Sequence, residues 1–158
     1  MSDFELAQLN IGAIRAPIDS PLMADFADNL ETINALADAS PGFVWRLQTE
    51  AGDATAIRPF DAPNILLTMS VWQDVESLNR YVYSSAHLEF IRRRREWFEP
   101  MTEASLVLWW VAKGHRPSIV EAIAKLELLQ RELVATAAAA GRRTRRAIDA
   151  QSVRARFS

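Results

Sequence analysis

Apolar and polar residues alternate in blocks along this chain, and the period of each block predicts an element. Residues Phe4–Ile14 (FELAQLNIGAI) set Leu6, Gln8 and Asn10 against Ala7, Leu9 and Ile11, which predicts a first strand with two amides on one face. Asp19 or Ser20 then caps a helix that opens on Pro21. That helix keeps a helical step through Leu22, Phe26, Leu30, Ile33 and Leu36–Ala37, and it stops at Ser40-Pro41-Gly42. Residues 43–49 (FVWRLQT) predict a second strand, with Phe43, Trp45 and Leu47 on one side and Val44, Arg46 and Gln48 on the other. After a loop over 50–61, Ile65–Trp72 (ILLTMSVW) is nearly continuous in apolar residues and predicts a third strand buried on both faces.

Asp74 caps a second helix, DVESLNRYVY, which Ser84-Ser85 can interrupt before the segment 87–98 resumes it and Pro100 ends it. Residues 105–112 (SLVLWWVA) predict a fourth strand, followed by a turn at Lys113-Gly114-His115-Arg116-Pro117. Ser118 to Glu121 is a capping box. It opens an amphipathic helix on Ile119, Ile123, Leu126, Leu129 and Leu133, expected to end at Gly141. Past that point the chain is basic and weakly patterned, with Phe157 placed to dock on the body.

The order βα, β, β, α, β and a terminal helix predicts an α+β, ferredoxin-like split βαβ sandwich with a four-stranded antiparallel sheet. We expect the main domain over 1–134 and an alanine-rich helix end with a basic tail over 135–158. Helices cover only one face of such a sheet. Trp45, Trp72 and one of Trp109 or Trp110 fall in its strands, so an uncovered face would be strongly aromatic. A second copy packed against that face closes a dimeric α/β barrel, and a homodimer is the expected partner state.

Composition changes this picture little. At 158 residues with net charge −2, the chain is an ordinary globular length with no global attraction to nucleic acid. The charge is uneven: residues 1–80 carry twelve acids against four arginines, a net of −8. Residues 142–158 carry six arginines against Asp149, a net of +5. There are no cysteines, which fits a cytoplasmic protein and excludes thiol chemistry. The start, MSDFELAQLN, has neither a basic region nor a long apolar run, so neither a secretory leader nor a membrane span is expected.

The candidate chemistry gathers in residues 81–100 (YVYSSAHLEFIRRRREWFEP). At helical spacing Tyr83, His87, Phe90, Arg94 and Trp97 share one face, unless the serine pair breaks the helix and removes Tyr83. His87 titrates near neutrality and is the candidate general base; the alternative is a structural histidine bridging its helix to a loop carbonyl. Asn10 is the second catalytic candidate. Tyr83 and Arg94 can hydrogen-bond or neutralise an anionic substrate. Trp45, Trp72, Trp97 and Trp110 are candidates for an aromatic wall around a flat apolar ligand, and equally for core and dimer interface. The run Arg92–Arg95 points in four directions, with Arg94 and Arg95 turned inward, so it forms no nucleic-acid face. His87 and His115 lie in no metal-ligand pattern, and His115 reads as a structural turn residue.

Three segments carry a family resemblance: SPGFVWRL (40–47), the pattern YxSxH…RRxWF (83–98) and LWWVxxGHxP (108–117). Over residues 6–129 the chain resembles the DUF3291 family, small bacterial proteins of the dimeric α/β-barrel superfamily related in fold to antibiotic-biosynthesis-type monooxygenases. The resemblance implies a homodimer binding a small aromatic or polyketide-like molecule of secondary metabolism. The family itself implies the fold and no activity; by analogy with the wider superfamily, a monooxygenase or a proton-transfer enzyme, cyclase-like or isomerase-like, without a bound organic cofactor is expected, and haem ligation through His87 is a variant within that superfamily. In the oxygenase version, Asn10 and Trp97 bind a phenolate and His87 takes a proton. The alternative is a non-catalytic ligand-binding or protein-interaction module.

Overall fold

The computed structural model describes residues 2–57 and 60–156. Along the chain run β1 (Phe4–Ile14), a 3-10 turn (Pro21–Met23), α1 (Ala24–Asp38), β2 (Phe43–Arg46) and β3 (Ile65–Trp72). There follow α2 (Val75–Val82), α3 (Ser85–Arg92), α4 (Arg94–Trp97), β4 (Phe98–Glu99), β5 (Leu106–Ala112) and α5 (Ile119–Arg156). The strands pair antiparallel in the order β2-β3-β1-β5. This is the α+β split βαβ arrangement that the element order predicts. The sheet has five strands rather than four, because two-residue β4 joins β1 at Ala13 and Ile14, beyond the end of β5.

One compact unit spans Met1–Leu126 and a second spans Glu127–Ser158. Helix α5 does not stop at Gly141 but continues to Arg156. A single glycine costs a helix about 1 kcal/mol, and good helix formers stand on both sides of it. The expected docking of Phe157 lies outside the described residues.

The period-two alternation of β1 separates two layers. On one face Ile14 packs with Met23, Phe26, Leu66 and Trp97, and Leu6 packs with Ala37, Trp72 and Leu78. The other face carries Ala7, Leu9, Met69, Val71, Val107 and Trp109, all buried. Trp109 donates its indole N–H to Glu121 at 3.1 Å, and Ala122 and Leu126 on the same first turns of α5 are buried as well. Within the sheet, the large apolar side chains left exposed are instead Phe4, Leu106, Leu108 and Trp110, in phase on the helix-side face at the β5 edge.

Strand β2 departs from simple alternation. A bulge between Phe43 and Trp45 pairs Phe43 with Trp72, Trp45 with Val71 and Arg46 with Ser70. Phe43 and Trp45, expected on one side, therefore face opposite sides. Strand β3 is not apolar on both faces: Thr68 is exposed and Ser70 half-buried, both on the helix side.

The turn into α5 is tied by two glutamates. The Gly114 N–H and the Arg116 guanidinium donate to Glu5. The Glu121 N–H donates to Ser118 Oγ at 3.1 Å, one half of the expected capping box. The Glu121 carboxylate does not return to complete it, but meets Trp109 and, at 2.7 Å, His115 Nε2. Burial pushes the Glu121 carboxyl up, and the bonds from His115 and Trp109 outweigh it and hold the group below its ordinary 4.5. A depressed carboxylate stabilises the fold above its unfolded pKa, and that contribution fades as pH falls through the folded value. Glu121→Gln should flatten the acid limb of a stability-against-pH curve below about pH 4.5; an unchanged limb in urea titrations would assign acid sensitivity elsewhere.

Candidate active site

The chain between β3 and β4 forms three short helices rather than one or two. Asp74 caps α2, its carboxylate accepting the Ser77 N–H at 2.7 Å. That bond holds the Asp74 pKa below its ordinary value. Tyr83 and Ser84 leave helical geometry, with Ser84 extended at φ −64 and ψ 147, and α3 restarts at Ser85. The break leaves carbonyls at the end of α2 without helical partners. One of them, Val82 O, lies 3.0 Å from His87 Nδ1.

This contact fixes the histidine's chemistry. A carbonyl only accepts, so Nδ1 carries the proton and the neutral ring keeps its lone pair on Nε2. Among the described residues Nε2 has no hydrogen-bond partner. Burial pulls the His87 pKa below 6.5, against the opposing effect of the Val82 carbonyl, so the ring is neutral at physiological pH. Behind it, Tyr81 lies 4.6 Å from the His87 ring centroid and stacks on Trp72 at 5.1 Å. Burial pushes the Tyr81 phenol up to about 12, so it stays protonated. Trp72 Nε1 donates to Ser70 Oγ at 2.9 Å, and Ser70 donates to Gln8 Oε1 at 3.2 Å. A polar chain thus runs from beneath the aromatic stack across the sheet floor.

His87 forms part of the wall of a cavity of ≈ 790 Å³ between the sheet and helices α1 to α4, within the range of small-molecule sites. The sheet contributes polar groups to its floor, Gln8, Asn10, Thr68 and Ser70. Phe26, Leu30 and Ile33 of α1 and Phe90 of α3 supply apolar walls. Trp97 joins them, its ring 5.6 Å from Phe26 and 5.0 Å from Phe90. Gly12 on β1 is required by close approach, since a Cβ there would stand 2.7 Å from the Phe98 ring.

The eight candidate site residues divide into five at the cavity and three away from it. His87, Asn10, Arg94, Trp97 and Trp72 all border the cavity, whereas Tyr83, past the end of α2, is 68% exposed and does not. Trp45 faces the other layer through the β2 bulge, and Trp110 is 55% exposed on β5; neither borders the cavity. Of the arginine run, Arg92 meets Glu89, and Arg93 meets Asp25 and Glu96 while lying 4.8 Å over the Trp97 ring. Arg94 and Arg95 turn to the cavity. Tyr81, Thr68 and Ser70 escaped the sequence reading. The two hydroxyls were discoverable from their period-two spacing with Leu66 and Trp72, whereas Tyr81 had no signal apart from its neighbours.

Among the described residues no three histidine, aspartate or glutamate side chains group as metal ligands, and no helix is long and apolar enough to cross a membrane. The chain is similar to several solved structures. A conserved protein from Methanosarcina mazei is 12% identical with TM-score 0.51, over 70% of this chain and 94% of its own. A variant of SnoaB, a cofactor-independent oxygenase from Streptomyces nogalater, is 19% identical with TM-score 0.48, over 74% of this chain and 100% of its own. A Nitrosomonas europaea protein grouped with the antibiotic biosynthesis monooxygenases is 10% identical with TM-score 0.47, over 75% and 97%. No curated protein matches the sequence. Residues 5–154 match the family model of a domain of unknown function, DUF3291, and with nearly its whole length matched the chain belongs to that family.

Proposed function

We propose that the protein binds a flat, largely apolar molecule, aromatic or polyketide-like, in the cavity beside His87, and that His87 Nε2 acts on it as a general base. The observation that carries this reading is the tie from Nδ1 to Val82 O. It leaves a neutral ring with an unshared lone pair at the wall of an aromatic cavity. The ring is held by the break between α2 and α3 and backed by Tyr81, so the base is positioned before a ligand arrives. Its task is to take a proton from a phenol or an acidic C–H. In this reading the Asn10 amide and the Thr68 hydroxyl, both on the cavity floor, hydrogen-bond the oxygen that gains charge. The electron-rich product then rearranges or meets dioxygen by its own reactivity, with no organic cofactor required of the chain.

The test is exchange of an acidic ring proton of a bound polycyclic phenol with D2O, followed by NMR. His87→Gln should slow exchange about 10²- to 10⁴-fold while leaving ligand affinity nearly unchanged. Because the base must be neutral, the wild-type rate should hold through neutrality and fall only below about pH 6.5, and the variant should lose that limb. Equal exchange in the two proteins would leave the cavity a binding site without catalysis.

We further infer a homodimer, supported by the exposed apolar row Leu106, Leu108 and Trp110 on β5. Light scattering should give twice the chain mass of 17.8 kDa; a monomer would refute it.

A further inference from the structure

The cavity's charge is opposite to that of the chain. The protein carries a net −2, yet the described residues bordering the cavity include four arginines, Arg15, Arg46, Arg94 and Arg95, against two carboxylates, Asp53 and Glu99. Both carboxylates are engaged: Glu99 with Arg15 at 3.1 Å, and Asp53 with the N–H and hydroxyl of Thr55 at 2.8 and 2.6 Å. Arg46 is spent as well, on Asp38 at 2.7 Å and the Gly52 carbonyl. Arg94 and Arg95 have no carboxylate partner among the described residues, although glutamates and aspartates hold both arginines before them in the run. Both border the cavity and stay exposed, which places them at its open rim.

Two consecutive arginines that border one cavity without counter-charge, beside apolar walls, supply the donors of an oxyanion site. Their planar forks match a carboxylate or phosphate, and the low-dielectric walls strengthen the attraction. Arg94 follows His87 by seven residues, across α3 and α4, and both residues border the same cavity.

We propose that the cavity takes an amphipathic organic anion. Its oxyanion sits on Arg94 and Arg95, and its flat apolar body lies along Phe90 and Trp97, presenting its far end to His87. This rests on the reading of the cavity as a small-molecule site and names the ligand class that site prefers. Carboxylate and phosphate share the required chemistry, and the probes separate them.

Calorimetry at low salt would compare three probes that share one ring system: 2-naphthoate, 2-naphthyl phosphate and neutral 2-naphthalenemethanol. At least one anion should bind tenfold or more tightly than the alcohol, and which one does identifies the oxyanion. The advantage should shrink as salt rises. The double variant Arg94→Gln/Arg95→Gln, at exposed positions, should abolish the advantage and leave the alcohol's affinity unchanged, with circular dichroism confirming the fold. Equal binding of all three probes, or an anion preference that survives the double variant, overturns the oxyanion site and leaves the cavity reading standing. Binding of none of them overturns both.

Discussion

Trp97→Ala should lose about 3–5 kcal/mol of stability, the cost of deleting a large buried aromatic. For a chain of this size that corresponds to a fall of roughly 10 °C in Tm. Trp97 is 1% exposed and packs with Ile14, Met23, Phe26 and Leu66. It also carries the Arg93 guanidinium over its face, and its carbonyl accepts the Arg15 N–H at 2.8 Å where the chain turns from α4 into β4. A residue serving only to stack a ligand would leave stability unchanged when truncated. Urea unfolding decides: a cost below about 1 kcal/mol would contradict the packing role. The truncation also enlarges the cavity, so ligand affinity should change along with stability.

Gly42→Ala should be nearly as costly, about 2–5 kcal/mol. Gly42 sits at φ +83, where a side chain costs roughly 1–2 kcal/mol. An added Cβ would also collide with Ser77, a buried residue of the first turn of α2, adding about 1–3 kcal/mol of overpacking. The Gly42 carbonyl meanwhile accepts the Gln73 N–H at 2.8 Å, so strand entry and helix start are fixed together. Displacing α2 displaces Tyr81, and with it the support behind His87. A shift of only a few tenths of a kcal/mol in the urea midpoint would mean that the turn relaxes freely and the two elements are not coupled.

The strands, their order and the principal helices were legible because each has a clean period over enough residues. Alternation in β1 and β5 and the 3.6 period of α1 leave no rival reading. Two kinds of feature were hidden. The bulge in β2 inserts no glycine or proline into FVWR, so alternation alone put Trp45 beside Phe43. The second helix break, at Arg93, falls inside FIRRRREWF, which has no breaker; it follows from tertiary demands, Trp97 entering the core while Arg93 reaches Asp25 on α1. The serine break, by contrast, was readable, and with it the departure of Tyr83 from the stripe. The cavity itself could not be read, because a void depends on how far α1 and α3 stand from the sheet. No local pattern encodes that distance.

The partition of the tryptophans gives the protein a built-in optical reporter. Trp72 and Trp97 are shut from water and border the cavity, whereas Trp110 stands in solvent on β5. Iodide, a quencher confined to water, should therefore spare the short-wavelength light of the buried Trp72, Trp97 and Trp109, and should reach Trp110 first wherever a second copy does not cover β5. The iodide-resistant fraction then contains the two tryptophans beside the cavity, whose light should dim or shift when a molecule enters beside His87. Occupancy becomes readable in the unlabelled protein, before any reaction has been assigned to it.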